Sequence, residues 1–242
     1  MTRGIVVKTK DKVKIAANYN KKGHKKVLII APGWCMTKDS KAFRQIARAF
    51  SSSYDTICLD FRGHGASGGF YTFSAKEEKD IEAVVDFAKK KNYDEICLMG
   101  FSLGAAASSI YASKHKVDKL VLVSAPYDFD KIENQMYKKE AWLETFRKFE
   151  LIRFLTIRPS LFIHKKTKPA DIIDKITCPT FFIAGKKDPT VHLWHTKELY
   201  NAAKCKKTLK IYENGIHAED LYLHHKKDFI ISCLKWLNGD IN

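Results

Sequence analysis

The sequence predicts an α/β fold: a doubly wound, mostly parallel sheet that opens on a β-hairpin and carries a helical insertion. Three observations lead there. From residue 26 to the end, apolar runs alternate with amphipathic stretches, an order that implies parallel strands joined by right-handed helical crossovers. The runs are apolar throughout rather than every second residue, so both faces of the sheet are expected to be covered. The alternation then fails over residues 127–174, a stretch between two strands too long for an ordinary connection.

The elements follow in chain order. Residues 4–19 hold two short β-like pieces, GIVVKT and VKIAANYN, separated by Lys10-Asp11-Lys12, which suggests an antiparallel hairpin on the sheet edge. Residues 26–31 (KVLIIA) are the first strand of the parallel series, and residues 39–50 an amphipathic helix with Phe43, Ile46, Ala47 and Phe50 on one face. Residues 55–60 (DTICLD) form the second strand, and residues 75–90 a helix with Ile81, Val84, Val85 and Ala88 at helical spacing. A third strand at 95–100 (EICLMG) leads into a small-residue helix at 102–114. Strands at 119–124 (KLVLVS), 180–184 (TFFIA) and 207–212 follow, and one last helix at 218–237. The irregular stretch carries Met136, Trp142, Leu143, Phe146, Phe149, Phe154 and Leu155 at helical spacings, then Arg158-Pro159 and Lys168-Pro169. It reads as a helical cap, residues 127–174, set within one domain spanning residues 1–242.

Composition removes several classes of function. At 242 residues, 45% hydrophobic and 29% charged, the chain can bury a substantial core and is unlike disordered, collagenous or coiled-coil sequences. The longest apolar run, residues 27–31, is far short of the ~20 residues of a membrane-spanning helix. The start has no apolar leader segment or small-residue cleavage site, so a soluble, cytoplasmic protein is expected. Its six cysteines, at 35, 58, 97, 178, 205 and 233, form no CxxC pair or zinc spacing and are expected to be reduced. The formal charge of +16 comes from 43 basic residues, of which only 7 are Arg. Nucleic-acid readers favour arginine and gather it on one surface, whereas the lysine pairs here are scattered along the chain. A lysine-rich solvated surface is therefore expected, with no specific nucleic-acid partner.

Gly100-Phe101-Ser102-Leu103-Gly104 is a G-x-S-x-G sequence set between a predicted strand and a predicted helix. A strand that turns sharply into a helix strains the turn residue, and flanking glycines let neighbouring backbone close in, exposing the hydroxyl at the strand end. Ser102 is thus a candidate nucleophile, although an N-cap serine would look similar. An alcohol needs a base at neutral pH, and that base needs a carboxylate to hold its tautomer. Asp188 follows the fifth strand of the parallel series in AGKKDPTV, and His217 the sixth in ENGIH. Both fall on the sheet edge where open α/β sheets place their sites, in the order Ser, Asp, His expected with this elbow. Asp128 and Asp130, after the fourth strand, compete for the acid role, with Asp188 favoured. Oxyanion donors are expected from the backbone N–H of Leu103 and from the loop 31–36 (APGWCM), with Trp34 first and Cys35 second. His64, His192 and the pair His224-His225 read as turn and surface residues.

These motifs, GFSLG, GKKDPTV and NGIHAED, together with the turn DFRGHGAS at 60–67, resemble the α/β-hydrolase superfamily over residues 4–237. The cap stretch falls where that family carries its cap. The chain departs from many members in having Pro32-Gly33 where they have His-Gly, and its ending is loosely similar to small esterases and thioesterases. The resemblance implies a serine hydrolase acting on carboxylic esters or thioesters through an acyl-serine. It requires no metal or organic cofactor, and the cap aromatics would either pack on the domain or line a site for an apolar acyl chain. Serine peptidases, amidases and acyltransferases share the same triad, and a non-catalytic binding protein can share the fold.

Overall fold

An antiparallel hairpin begins the chain: β1 (Thr2–Lys8) pairs with β2 (Lys14–Asn20), and β2 pairs antiparallel with β4 (Asp55–Leu59) on its other side. The computed structural model describes residues 2–133, 156–161 and 165–240. The hairpin is the expected edge, and its register sets Ile15 and Ala17 into the core. The remaining strands are β3 (Lys26–Ala31), β5 (Glu95–Phe101), β6 (Lys119–Val123), β7 (Thr180–Gly185) and β8 (Lys207–Tyr212). The eight-stranded sheet runs β1-β2-β4-β3-β5-β6-β7-β8 and is parallel from β4 to β8. All of these strands therefore end on one edge.

Both faces are covered, as strands without alternation require. One face packs Val27, Ile29, Leu98, Leu120 and Phe182 against α2 (Glu78–Lys89) and α3 (Leu103–Ala112). The other packs Leu28, Cys97, Met99, Val121 and Phe181 against α1 (Lys41–Phe50) and the C-terminal helices. Helix α4 (Leu193–Ala202) joins β7 to β8.

Strand ends and the end of α3 differ from the sequence expectation by one or two residues, and three helix boundaries differ for identifiable reasons. Helix α1 starts two residues late because Ser40 Oγ accepts the Thr37 N–H at 3.0 Å and closes a turn there. Helix α2 starts at Glu78 because the Glu77 carboxylate accepts the Thr72 N–H and hydroxyl, at 2.7 and 2.9 Å, folding residues 72–77 into a loop. The expected single last helix is two, α5 (Ala218–His224) and α6 (Lys226–Asn238), broken at His225 with φ −125° and ψ 31°. The His225 ring packs on Tyr212, centroids 4.9 Å apart, so this residue is half-buried rather than part of a solvated face. The break redirects α6 so that Phe229, Cys233, Trp236 and Leu237 reach the core.

Of residues 127–174, the described parts are short. Phe129–Lys131, Pro169–Asp171 and Ile173–Lys175 are single 3₁₀ turns. Residues 158–160 pair with the loop after β4: the Tyr71 N–H donates to the Arg158 carbonyl and the Ser160 N–H to the Tyr71 carbonyl, both at 2.8 Å. The aromatic and apolar positions Met136, Trp142, Leu143, Phe146, Phe149, Phe154 and Leu155, expected to build a helical cap, lie outside the described residues. Among the described residues no helix is long and apolar enough to cross a membrane.

Candidate active site

Strand β5 delivers Ser102 to the shared strand edge in a backbone conformation that non-glycine residues rarely hold, φ 51° and ψ −112°. Close packing explains how it is held. A Cβ on Gly100 would sit 2.4 Å from the Gly104 carbonyl oxygen, and one on Gly104 would sit 2.1 Å from that of Ala31. Both glycines of the G-x-S-x-G sequence are therefore required by contact with backbone. The Ser102 N–H donates to the Val123 carbonyl at 2.9 Å, fixing the turn to β6.

The two other candidate residues arrive from β7 and β8, whose following loops pack backbone on backbone. A Cβ on Gly185 would lie 2.4 Å from the Gly215 carbonyl, and the Lys187 N–H donates to that carbonyl at 2.9 Å. This contact brings Asp188 and His217 together although they are far apart in sequence. His217 Nδ1 lies 2.8 and 3.0 Å from the two Asp188 carboxylate oxygens, and His217 Nε2 lies 3.0 Å from Ser102 Oγ. A carboxylate can only accept, so Nδ1 carries the proton and Nε2 is left to accept the Ser102 hydroxyl.

Asp188 is buried, which disfavours its charge. The opposing effects of His217 and of the Val191 and Thr190 N–H groups, both 2.9 Å from Oδ1, win and hold the carboxyl below the usual range. The competing acids are engaged elsewhere. Asp128 is paired with Lys168 at 2.8 Å and caps a 3₁₀ turn, and Asp130 lies 3.2 Å from the same lysine.

The loop after β3 lies against the elbow, since a Cβ on Gly33 would fall 3.6 Å from Ser102 Cβ. Leu103 opens α3, and its N–H belongs to the first turn, where no intrahelical acceptor exists and the helix dipole favours negative charge. Of the two loop candidates, the Cys35 N–H is used: it donates to His64 Nε2 at 3.3 Å. Among the described residues no acceptor takes the Trp34 N–H.

His64 is thus more than a turn residue. It is fully buried; Nε2 accepts from Cys35, and Nδ1–H donates to the Arg62 carbonyl at 3.1 Å. It holds Cys35 in its left-handed conformation, φ 59°, and so sets the course of the loop at Trp34. Burial pushes its pKa down to about 4. The unfolded chain takes up a proton at His64 near pH 6.5, whereas the folded chain does so only near pH 4. Stability is therefore expected to fall as pH drops through that window, by at most about 3 kcal/mol from this group. Denaturant unfolding of wild type and His64→Gln at about pH 7 and about pH 4.5 checks this: the acid-induced loss is expected to be about 2 kcal/mol smaller in the variant. Equal losses in the two proteins would show that His64 is not the group responsible.

Two positions escaped sequence reasoning. Ser124, at the end of β6 with φ 50°, accepts the Ala218 N–H on its hydroxyl at 3.0 Å and so steadies the residue after His217. Its position just after a strand, like that of Ser102, was the available signal. Glu133 gathers the start of α4 to the root of the 127–174 stretch. Its carboxylate accepts Trp194 Nε1–H at 2.6 Å and the His192 N–H at 3.3 Å. It also lies 3.3 Å from buried His195 Nε2, which is not aligned for a hydrogen bond. His192 belongs to this structural cluster.

A family model described as alpha/beta hydrolase fold matches residues 26–167. The uncharacterized protein YqkD of Bacillus subtilis (strain 168) is 31% identical over 176 residues, 68% of this chain and 56% of its own length. The chain thus spans little more than half of the curated relative it matches. The structure is similar to that of the Pyrococcus furiosus esterase Pf2001, with a TM-score of 0.81 at 22% identity over 99% of this chain and 92% of that one. The esterase EaEST of Exiguobacterium antarcticum gives a TM-score of 0.74 at 18% identity, covering 98% of this chain and 100% of that one. Esterase RhEst1 of Rhodococcus sp. ECU1013 gives 0.78 at 16% identity, with 97% and 98% covered. At these identities the likeness to the solved structures is one of fold.

Proposed function

The chain belongs to the alpha/beta hydrolase fold family, and from that premise we propose that it is a serine hydrolase cleaving carboxylic esters or thioesters through an acyl-serine intermediate. The observation that carries the reading is the unbroken relay from Ser102 Oγ through His217 to Asp188, with separations of 3.0 and 2.8 Å. Such a relay is what an unactivated alcohol needs to attack a carbonyl at neutral pH. Three similar structures are those of proteins called esterases, which favours this substrate class over amides.

In the proposed cycle Ser102 Oγ attacks the carbonyl carbon while His217 Nε2 takes its proton. Negative charge collects on the former carbonyl oxygen, which the N–H groups of Leu103 and Trp34 receive. The intermediate collapses, and Nε2–H protonates the departing alkoxide or thiolate. Water enters, gives a proton to Nε2 and attacks the acyl-serine; a second collapse frees the acid and returns the proton to Ser102. Asp188 stays ionised throughout, holding Nδ1–H and stabilising the imidazolium. No metal or organic cofactor takes part in these steps. Residues 127–174 are read as a helical cap within the single domain, shaping the acyl site.

The test is a panel of p-nitrophenyl esters of short to long acyl chains, together with acyl-CoA and aminopeptidase substrates. Saturable ester or thioester hydrolysis is expected, with amide turnover far lower. A preference for aminopeptidase substrates would move the assignment to a peptidase, and transfer to added alcohols in place of water would move it to an acyltransferase.

A further inference from the structure

Helix α1 covers β3 and β4 but stops short of β2, and the uncovered strip between the helix and the hairpin is a cleft of about 530 Å³. Its floor includes Cys58, and on β2 the residues Asn18 and Asn20 share one face. Its walls carry five cations, Lys22, Lys38, Lys41, Arg44 and Arg48. Arginine is scarce in this chain, and the described ones elsewhere are mostly committed: Arg62 is buried between Asp11 and Asp80, and Arg158 donates to backbone carbonyls. By contrast, no carboxylate lies within ion-pair distance of Lys22, Arg44 or Arg48 among the described residues. Lys38 is paired with Asp39 and Asp60. Asp39 is also held by Asn18 at 2.8 Å and feels the charge of Arg44, and the Asp55 carboxylate accepts the Lys22 backbone N–H at 2.7 Å.

Helix energetics point the same way. Positions 41, 44 and 48 fall on one face of α1, at the i, i+3 and i+4 spacings where like charges repel. The first turn contains no acidic residue, and Lys41 stands at the positive end of the helix dipole. Arg48, in the last turn, suits the dipole, but the position of Lys41 and the mutual repulsion of the three cations do not, and negative charge facing them relieves both. Guanidinium forks on successive turns match phosphate oxygens better than ammonium groups would.

We propose that this cleft binds an oligophosphate: two or more linked phosphates, either free or carried on a nucleoside. One phosphate can meet one or two of the cations, whereas a linked chain can meet Lys22, Arg44 and Arg48 together. The volume suits a small molecule. None of Ser102, Asp188, His217, Leu103 or Trp34 lines the cleft, so the site is independent of the proposed hydrolysis.

Calorimetric titration of the full chain at low salt with orthophosphate, tripolyphosphate, ATP and a single-stranded oligonucleotide tests this. Tripolyphosphate is expected to bind one to one, at least about tenfold more tightly than orthophosphate. The double variant Arg44→Gln/Arg48→Gln is expected to weaken it at least about tenfold. Lys89→Gln/Lys90→Gln, which removes the same charge at the end of α2, is expected to leave it nearly unchanged. ATP matching tripolyphosphate would place recognition in the phosphate chain, and ATP binding more tightly would add a nucleoside contact; both support the site. Circular dichroism and ester turnover of the arginine variant verify that it folds. Equal weakening in both double variants, several phosphate chains per protein, no saturable binding, or tighter binding of the oligonucleotide would each overturn the proposal.

Discussion

Ser102→Ala is expected to lower ester turnover roughly 10⁴- to 10⁶-fold while leaving the fold and KM nearly unchanged. The size of the effect follows from the chemistry. On the proposed mechanism, removing Oγ deletes the atom that would form the acyl bond and leaves His217 and Asp188 no nucleophile to activate. What would remain is binding and the proposed oxyanion donors, the N–H groups of Leu103 and Trp34, which could stabilise attack by water only weakly. Stability should change little, because among the described residues the hydroxyl meets only His217 Nε2, at 3.0 Å, and the site is partly open to solvent. Alanine tolerates a φ of 51° no better than serine does, so unchanged stability is the expected result. Steady-state kinetics on the best p-nitrophenyl ester, with thermal unfolding of both proteins, measures this. A loss below about tenfold would mean that another group attacks the carbonyl.

Gly104→Ala is expected to have the largest effect on folding of any single methyl addition near the site. The new carbon would meet the Ala31 carbonyl oxygen at 2.1 Å and the Pro32 carbonyl oxygen at 2.5 Å. Both are backbone atoms at the end of a central strand and have no side-chain rotation with which to yield. Helix α3 must therefore move away from β3, opening the packing of Leu103, Ala105 and Ala107 with the sheet. A loss of about 3–5 kcal/mol is expected, beyond ordinary overpacking because backbone rather than side chains must shift. Activity should fall with it, since the same displacement carries Ser102 away from His217. Gly4→Ala is the control: no atom lies within 4 Å of the added carbon, and a change within about 0.5 kcal/mol is expected. Chemical denaturation of the two variants checks both values, and a Gly104→Ala loss no larger than that of Gly4→Ala would show that the contact is relieved cheaply.

Much of this architecture could be read from the residues because the relevant signals are local. A central parallel strand such as VLIIA or ICLM is apolar on both faces wherever it occurs, and Phe43, Ile46, Ala47 and Phe50 mark the buried side of their helix by spacing alone. Ser102, Asp188 and His217 were legible for a related reason. Each follows a strand of the same parallel series, so topology alone carries them to one edge. The features that escaped depend on contacts between distant segments. No glycine or proline announces the break at His225, which is set by packing on Tyr212 and by the route α6 takes to the core. The grip of His64 on Cys35 and of Ser124 on Ala218 joins residues 29 and 94 positions apart, and no periodicity encodes such pairs. Nothing in the residue pattern of α1 marks Arg44 and Arg48 as lining a cleft, which the placement of the helix beside β2 creates.

The central claim is that Ser102 is a nucleophile made reactive by His217. Its most direct measurement is the mass of the protein after brief exposure to a fluorophosphonate, followed by peptide mapping, for wild type, Ser102→Ala and His217→Ala. One adduct per chain, on the peptide containing Ser102, is expected in wild type; it should be absent from Ser102→Ala and form at least about a hundredfold more slowly in His217→Ala. Labelling at a different residue, or equal labelling rates with and without the imidazole, would contradict it.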